Sequence, residues 1–185
     1  MLRTFLSPLL VVITVLLIPS IEKALMFLPL IFALSVGLVN FKRLKVNNKP
    51  FGIFLSVVQS YAVFIGLGVV TYFFDELLQD ITIVNQGDSA FKGIALVTLG
   101  GFLAAHMLFY FFSFLFRIDN KRFSYLIITI CYAVIVLVMQ VFSKNEFLQF
   151  GVEKFASFLI SWIIFMSLAF SLSMNRASFM RTLEK

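Results

Sequence analysis

Six long stretches without a charged residue divide this sequence and limit what it can fold into. They cover residues 4–21, 24–41, 50–74, 93–116, 123–143 and 155–175, and each is 18 to 25 residues long. A helix crosses the hydrocarbon layer of a membrane in roughly 20 residues, within a range of about 17–25. Only helices and closed barrels satisfy their backbone polar groups in lipid. The runs show no polar and apolar alternation and are about twice as long as a barrel strand, so they predict helices.

The composition supports this prediction. The chain is 61% hydrophobic and 13% charged, whereas a soluble domain is about half apolar and about a quarter charged. We therefore expect an all-α integral membrane protein, a single domain over residues 1–185 that forms a bundle of six transmembrane helices. The first two runs are joined by the short turn IPSIEK. The alternative is therefore four spans plus an N-terminal re-entrant hairpin.

The charges between the runs predict the orientation. When successive gaps are assigned to alternate sides of the membrane, one side receives eleven basic residues and the other only four. Basic residues in short loops stay cytoplasmic, so both termini are predicted to be cytoplasmic. The eleven basic residues are Arg3, Lys42, Arg43, Lys45, Lys49, Arg117, Lys121, Arg122, Arg176, Arg181 and Lys185.

Most of these cytoplasmic charges are also candidates for a docking surface. We expect them to bind an acidic protein surface or anionic lipid headgroups; the alternative is that they serve only to orient the chain. The net charge of +6 has the same origin, so it does not predict direct nucleic-acid binding. The candidate docking residues are Lys42, Arg43, Lys45, Lys49, Arg117, Lys121, Arg122, Arg176 and Arg181.

His106 is the only histidine and lies near the middle of the fourth run. Gln59 in the third run and Tyr132 in the fifth lie at a matching depth, so the three residues predict a polar layer inside the membrane. A neutral imidazole that bonds Gln59 or Tyr132 would fix the register of the helices. An ionisable residue at this depth is also a functional-site hypothesis, and the alternative is a protonation site or a pore-lining residue.

No motif for catalysis or metal binding occurs in the sequence. G-x-S-x-G, H-E-x-x-H and C-x-x-C are all absent, and one cysteine, Cys131, cannot form a metal cluster with one histidine. We therefore predict no catalytic residues, no metal, no cofactor and no enzymatic activity. Gly100 with Ala104, and Gly66 with Gly68, have the small side chains that allow close helix packing in membranes.

The remaining signal is an aromatic run, FYFFSFLF, at residues 109–116. It predicts bulky filling of lipid-facing and inter-helix grooves, or a contact surface between subunits. Together with the basic segments FKRLKVNNKP, RIDNKR and NRASFMRTLEK, this Phe-rich bundle resembles small membrane proteins of bacterial conflict systems. One is the membrane subunit of the two-component Kiwa anti-phage system, and another is the class of membrane immunity proteins against pore-forming colicins.

The Kiwa resemblance implies a homo-oligomer in the bacterial inner membrane that anchors or gates a separate cytoplasmic effector. It spans the whole chain, and it assigns no functional residue. From it we expect a multi-pass, non-catalytic scaffold or sensor that docks a cytoplasmic protein, acting in antiviral defence. The alternative function is a small transporter or channel with a polar layer around His106.

Overall fold

The computed structural model describes residues 2–18, 20–81, 88–142 and 152–183 and shows an all-helical chain. A short 3-10 helix, Phe41–Arg43, follows the second helix. The described residues contain no strand, only one isolated antiparallel bridge between Leu44 and Phe116. The all-α prediction is confirmed. The six α-helices are α1 (Leu2–Leu17), α2 (Ile21–Val39), α3 (Lys49–Ile81), α4 (Asp88–Leu115), α5 (Lys121–Phe142) and α6 (Val152–Leu183).

Four of the helices are long and apolar enough to cross a membrane. Helices α1 and α2 contribute shorter apolar stretches, Thr4–Leu17 and Leu25–Val39. The 16 residues of α1 extend about 24 Å, which is less than the ~30 Å hydrocarbon layer. The four membrane-crossing stretches are Lys49–Val69 in α3, Thr98–Leu115 in α4, Lys121–Val138 in α5 and Phe158–Arg176 in α6.

Helix α6 lies at the centre of the bundle. It packs against α1, α2 and α5 and more lightly against α4, while α3 lies between α2 and α4. The membrane-crossing stretches of α4 and α6 are about half buried, compared with about a fifth for those of α3 and α5. The outer helices therefore turn most of their surface away from the protein.

A cluster of phenylalanines fills the space between α2, α4 and α6. The ring of Phe170 on α6 makes edge-to-face contacts with Phe32, Phe109 and Phe112, with ring centroids 5.3 to 5.7 Å apart. Phe112 also stacks on Phe116 at 5.5 Å. All five side chains are completely buried. One face of the aromatic run at 109–116 is therefore core, as the inter-helix filling predicted from the sequence requires.

The outer faces of α4 and α5 carry large apolar side chains that no other part of the described bundle covers. Their spacing of three or four residues places them on one face of each helix. Rows of exposed large apolar side chains mark surfaces that contact a membrane or another protein, so these faces are suited to lipid or to another membrane helix. The exposed side chains are Leu99, Leu103, Met107, Tyr110 and Phe114 on α4, and Leu126, Ile130, Val134 and Leu137 on α5.

Candidate functional site

Two loops are fastened together at one end of the bundle, which we call the basic end. They are residues 40–48, between α2 and α3, and residues 116–120, between α4 and α5. The backbone N–H of Lys45 donates to the carbonyl of Leu115, and the N–H of Arg117 donates to the carbonyl of Arg43, both at 2.8 Å. Leu44 and Phe116 pair between these bonds with their side chains buried. The loops therefore form one ordered platform.

Two helices begin at this platform, and each is capped by an asparagine. The Oδ1 atom of Asn48 accepts from the N–H of Phe51 at the start of α3, and that of Asn120 accepts from the N–H of Phe123 at the start of α5. These caps satisfy N–H groups that the first turn of a helix leaves without partners. Gly52 completes the fit, because a Cβ at this position would overlap the Val46 side chain.

Four basic side chains at the basic end are held by contacts within the chain, and we call them the clamp cations. The Nζ atom of Lys45 donates to the Ser113 carbonyl at 2.6 Å, in the last turn of α4, where a cation also complements the helix dipole. The other three are Arg43, 3.3 Å from Asp119; Lys49, which donates to the Leu44 carbonyl; and Arg176, 4.4 Å above the Phe123 ring.

The side chains of Lys42, Arg117, Lys121 and Arg122 are exposed, and we call them the outward cations. They make no hydrogen bond, ion pair or ring contact with the residues that the structure describes. Lys121 and Arg122 lie in the first turn of α5, where the helix dipole disfavours positive charge. The fold therefore gains no local stability from them. Arg3, Arg181 and Lys185 lie outside the part of the chain whose side chains are described.

A buried polar network that the sequence analysis missed lies beneath the platform. The Nδ2 atom of Asn175 on α6 donates to Oδ1 of Asn40, at the end of α2, and to the carbonyl of Ser171, both at 2.9 Å. Asn40 in turn donates to the Val36 carbonyl at 3.0 Å. Asn175 leaves the helical conformation, with φ −113° and ψ 20°. The signal in the sequence was an asparagine at or next to the last position of two charge-free runs.

The structure does not pair His106 with Gln59, whereas the rings of His106 and Tyr132 both contact the Phe102 ring. The Nδ1 atom of His106 lies 2.9 Å from the Phe102 carbonyl and Nε2 lies 3.2 Å from Oγ1 of Thr129, so the predicted bond to Gln59 is wrong. The hydroxyl of Tyr132 donates to the Thr98 carbonyl. The Oε1 atom of Gln59 is buried and has no hydrogen-bond partner among the described residues. Equal depth therefore did not bring His106 and Gln59 into a hydrogen bond.

The glycines predicted to allow close helix packing lie in two different environments. Gly100 and Ala104 are buried in α4, as close packing requires. A Cβ at Gly66 or Gly68 would meet no atom within 4 Å. A side chain at these two positions would therefore not be crowded by the described bundle, and their packing role stays a prediction.

The chemistry that this arrangement offers is recognition of negative charge. The outward cations present positively charged donors on an ordered platform, and the described residues hold no group of three or more side chains that could bind a metal ion. Comparisons with protein-family models, with curated proteins and with solved structures find no match to this chain. The resemblances to the Kiwa membrane subunit and to colicin immunity proteins therefore stay predictions.

Proposed function

We propose that this chain is a non-catalytic scaffold or sensor of the bacterial inner membrane that docks an acidic cytoplasmic protein at its basic end. In this proposal all six helices span, both termini are cytoplasmic, and several copies assemble, as the Kiwa resemblance implies. The observation that carries the proposal is the division of the basic side chains into clamp cations and outward cations.

This division matters because orientation and docking make different demands on a charge. Orientation depends on how many basic residues a loop carries, and it does not require them to stay free once the chain is folded. Docking requires exposed charges on a surface that is already ordered, since less conformational entropy is then lost on binding. Lys42 and Arg117 belong to the two fastened loops, and Lys121 and Arg122 follow directly. The outward cations therefore meet the requirement for docking.

The partner's chemistry follows from the charge of this surface. Asp119 is the acidic side chain that the described part of the basic end contains, and Arg43 already neutralises it. An acidic protein surface complements the positive charge of the outward cations. Complementary charge speeds association and favours the right partner. Antiviral defence enters the proposal through the Kiwa resemblance, in which a separate effector supplies the activity.

The test removes three outward cations and compares the result with a charge-matched control. We expect R117Q/K121Q/R122Q to insert correctly, because eight basic residues still oppose four, and to lose the partner on purification in mild detergent. At about 0.5–1 kcal/mol for each exposed pair, affinity should fall roughly ten- to hundredfold. The control K23Q/K92Q/K144Q removes the same charge from the opposite gaps and should keep the partner.

Salt provides the second arm of this test. The screening length falls from ~10 Å at 0.1 M salt to ~3 Å at 1 M, so the wild-type complex should dissociate as salt rises. Co-purification that survives both high salt and the triple substitution would rule out the basic end as the docking surface. Loss of binding to anionic vesicles, with the protein complex intact, would assign the outward cations to lipid instead.

A further inference from the structure

His106 takes part in a short chain of polar contacts between α4 and α5. Its Nδ1 atom lies 2.9 Å from the Phe102 carbonyl, its Nε2 atom lies 3.2 Å from Oγ1 of Thr129, and this hydroxyl lies 2.9 Å from the Tyr125 carbonyl. Both ends of the chain are carbonyl oxygens, which can only accept. The contact at Phe102 therefore needs a hydrogen on Nδ1, and the contact at Tyr125 needs the hydroxyl hydrogen of Thr129.

Counting hydrogens shows that the neutral side chains cannot make all three bonds. A neutral imidazole carries one N–H and a threonine hydroxyl carries one O–H, so two hydrogens serve three contacts. The contact between Nε2 and Thr129 is therefore left without a hydrogen, unless the Thr129 hydroxyl breaks its bond to the Tyr125 carbonyl and donates to Nε2 instead. An imidazolium carries a hydrogen on each nitrogen and completes the chain.

We propose that His106 is a proton-binding site that latches α4 to α5 when it is protonated. Nε2 takes a proton from a hydronium ion: one O–H bond of the hydronium breaks, one N–H bond forms and a water molecule is released. The new N–H donates to Oγ1 of Thr129 while the hydroxyl keeps its bond to Tyr125. In the neutral state the side chain is the Nδ1–H tautomer, and the hydrogen bond between the two helices is missing or is made at the expense of the Tyr125 carbonyl.

The surroundings of the ring suit a cation. The Phe102 ring centroid lies 4.2 Å away, and the Tyr125 ring is stacked almost parallel at 5.8 Å; aromatic faces attract positive charge at these distances. His106 is only half-buried, so the packed core does not enclose its ring.

No described carboxylate faces this ring, because Asp119 pairs with Arg43 in the loops of the basic end. The ring therefore has no neighbouring acid among the described residues that could supply the proton. Tyr125 on α5 contacts the ring. The other titratable or charged side chains described on the helices packed against α4 are Lys49 and Tyr61 on α3, Lys121, Arg122, Cys131 and Tyr132 on α5, and Arg176 on α6.

The single histidine makes the proposal directly measurable. Protein labelled with ¹⁵N-histidine and reconstituted in lipid nanodiscs gives imidazole NMR signals from His106 alone. Between about pH 9 and pH 4 we expect the Nδ1–H tautomer to convert to the imidazolium. An Nε2–H tautomer at high pH, or an imidazole that stays neutral throughout, would overturn the proposal.

The role of Thr129 is tested by a pH-dependent comparison of variants. Thr129→Val removes the hydroxyl and keeps the shape of the side chain. The melting temperature of wild type should exceed that of Thr129→Val, and the difference should be larger when His106 is protonated than when it is neutral. One membrane hydrogen bond in a chain of this size predicts a change of about 2–5 °C in that difference. Thr14→Val is the matched control, because Thr14 makes the same bond within its own helix, to the Leu10 carbonyl at 2.7 Å. The difference in melting temperature between wild type and Thr14→Val should be the same whether His106 is protonated or neutral. If the two variants respond to pH equally, the latch is refuted.

Discussion

Gly101 allows α4, α5 and α6 to approach one another because it has no side chain. A Cβ at this position would lie 3.0 Å from the hydroxyl of Tyr132 on α5 and 3.2 Å from the ring of Phe158 on α6. The Gly101 carbonyl also accepts a hydrogen bond from the indole N–H of Trp162 at 3.1 Å. Tyr132 has little room to move away, since its hydroxyl is bonded to the Thr98 carbonyl.

We therefore predict that Gly101→Ala lowers the melting temperature of the detergent-solubilised protein relative to Gly66→Ala. Both changes reduce the flexibility of the unfolded chain equally, and the methyl group at Gly66 meets no atom within 4 Å. The difference between the variants thus isolates the crowding, which should cost about 1–3 kcal/mol. Equal melting temperatures would show that α5 and α6 can move apart without loss.

Side-chain partners are the part of the site that the sequence could not supply. Counting residues from the membrane boundary places His106 and Gln59 at one height, but it does not give the direction in which either side chain points. The partner of Nε2, Thr129, lies on α5. Nothing in a single charge-free run distinguishes Thr129 from its neighbours, because its role depends on how α4 and α5 are rotated against each other.

At the level of whole helices, the sequence predicted well which helices exist and poorly where they begin and end. The run 24–41 corresponds to α2 (Ile21–Val39) and the run 123–143 to α5 (Lys121–Phe142), but α3 and α6 continue far beyond their runs, to Ile81 and Leu183. Charged residues end the segment that lipid can hold, whereas a helix ends only where its hydrogen bonds stop or are capped. Hydropathy therefore locates the membrane boundary and not the end of the helix.

The hydrogen bonds of Asn175, which link α6 to the end of α2, give a prediction about how much this link stabilises the bundle. Asn175→Ala removes both donated bonds and leaves the buried Oδ1 of Asn40 without this donor, so the free energy of unfolding should fall by about 1–3 kcal/mol. Ser173→Ala is the control, because Ser173 is buried in the same helix but bonds only the Ala169 carbonyl of that helix. Denaturant titration in detergent would measure the free energy of unfolding of both variants. A larger loss for Ser173→Ala would show that the asparagine network does not hold α2 and α6 together.

For the whole molecule, the topology depends on whether α1 and α2 cross the membrane. Helix α1 is shorter than the hydrocarbon layer, but a thinner bilayer around a short helix costs only fractions of a kcal/mol per Å. It packs mainly along α6, the central helix, and also against α2, and its buried residues include Thr4, Ser7 and Val11. Leu16 and Leu17, near the turn into α2, are each more than three-quarters exposed, as expected for residues in lipid.

We therefore predict that the turn between α1 and α2 faces the outside. A cysteine at Lys23, whose side chain is exposed, should react with a membrane-impermeant maleimide added to intact cells, in a chain whose only native cysteine has been removed by Cys131→Ala. A cysteine at Asn47, in the 40–48 loop, should react only after the membrane is opened, because eleven basic residues hold its side in the cytoplasm. Labelling of neither site in intact cells would favour the four-span chain with a re-entrant hairpin. Labelling of Asn47 before Lys23 would mean that the whole bundle is inverted, and the basic end could then meet no cytoplasmic partner.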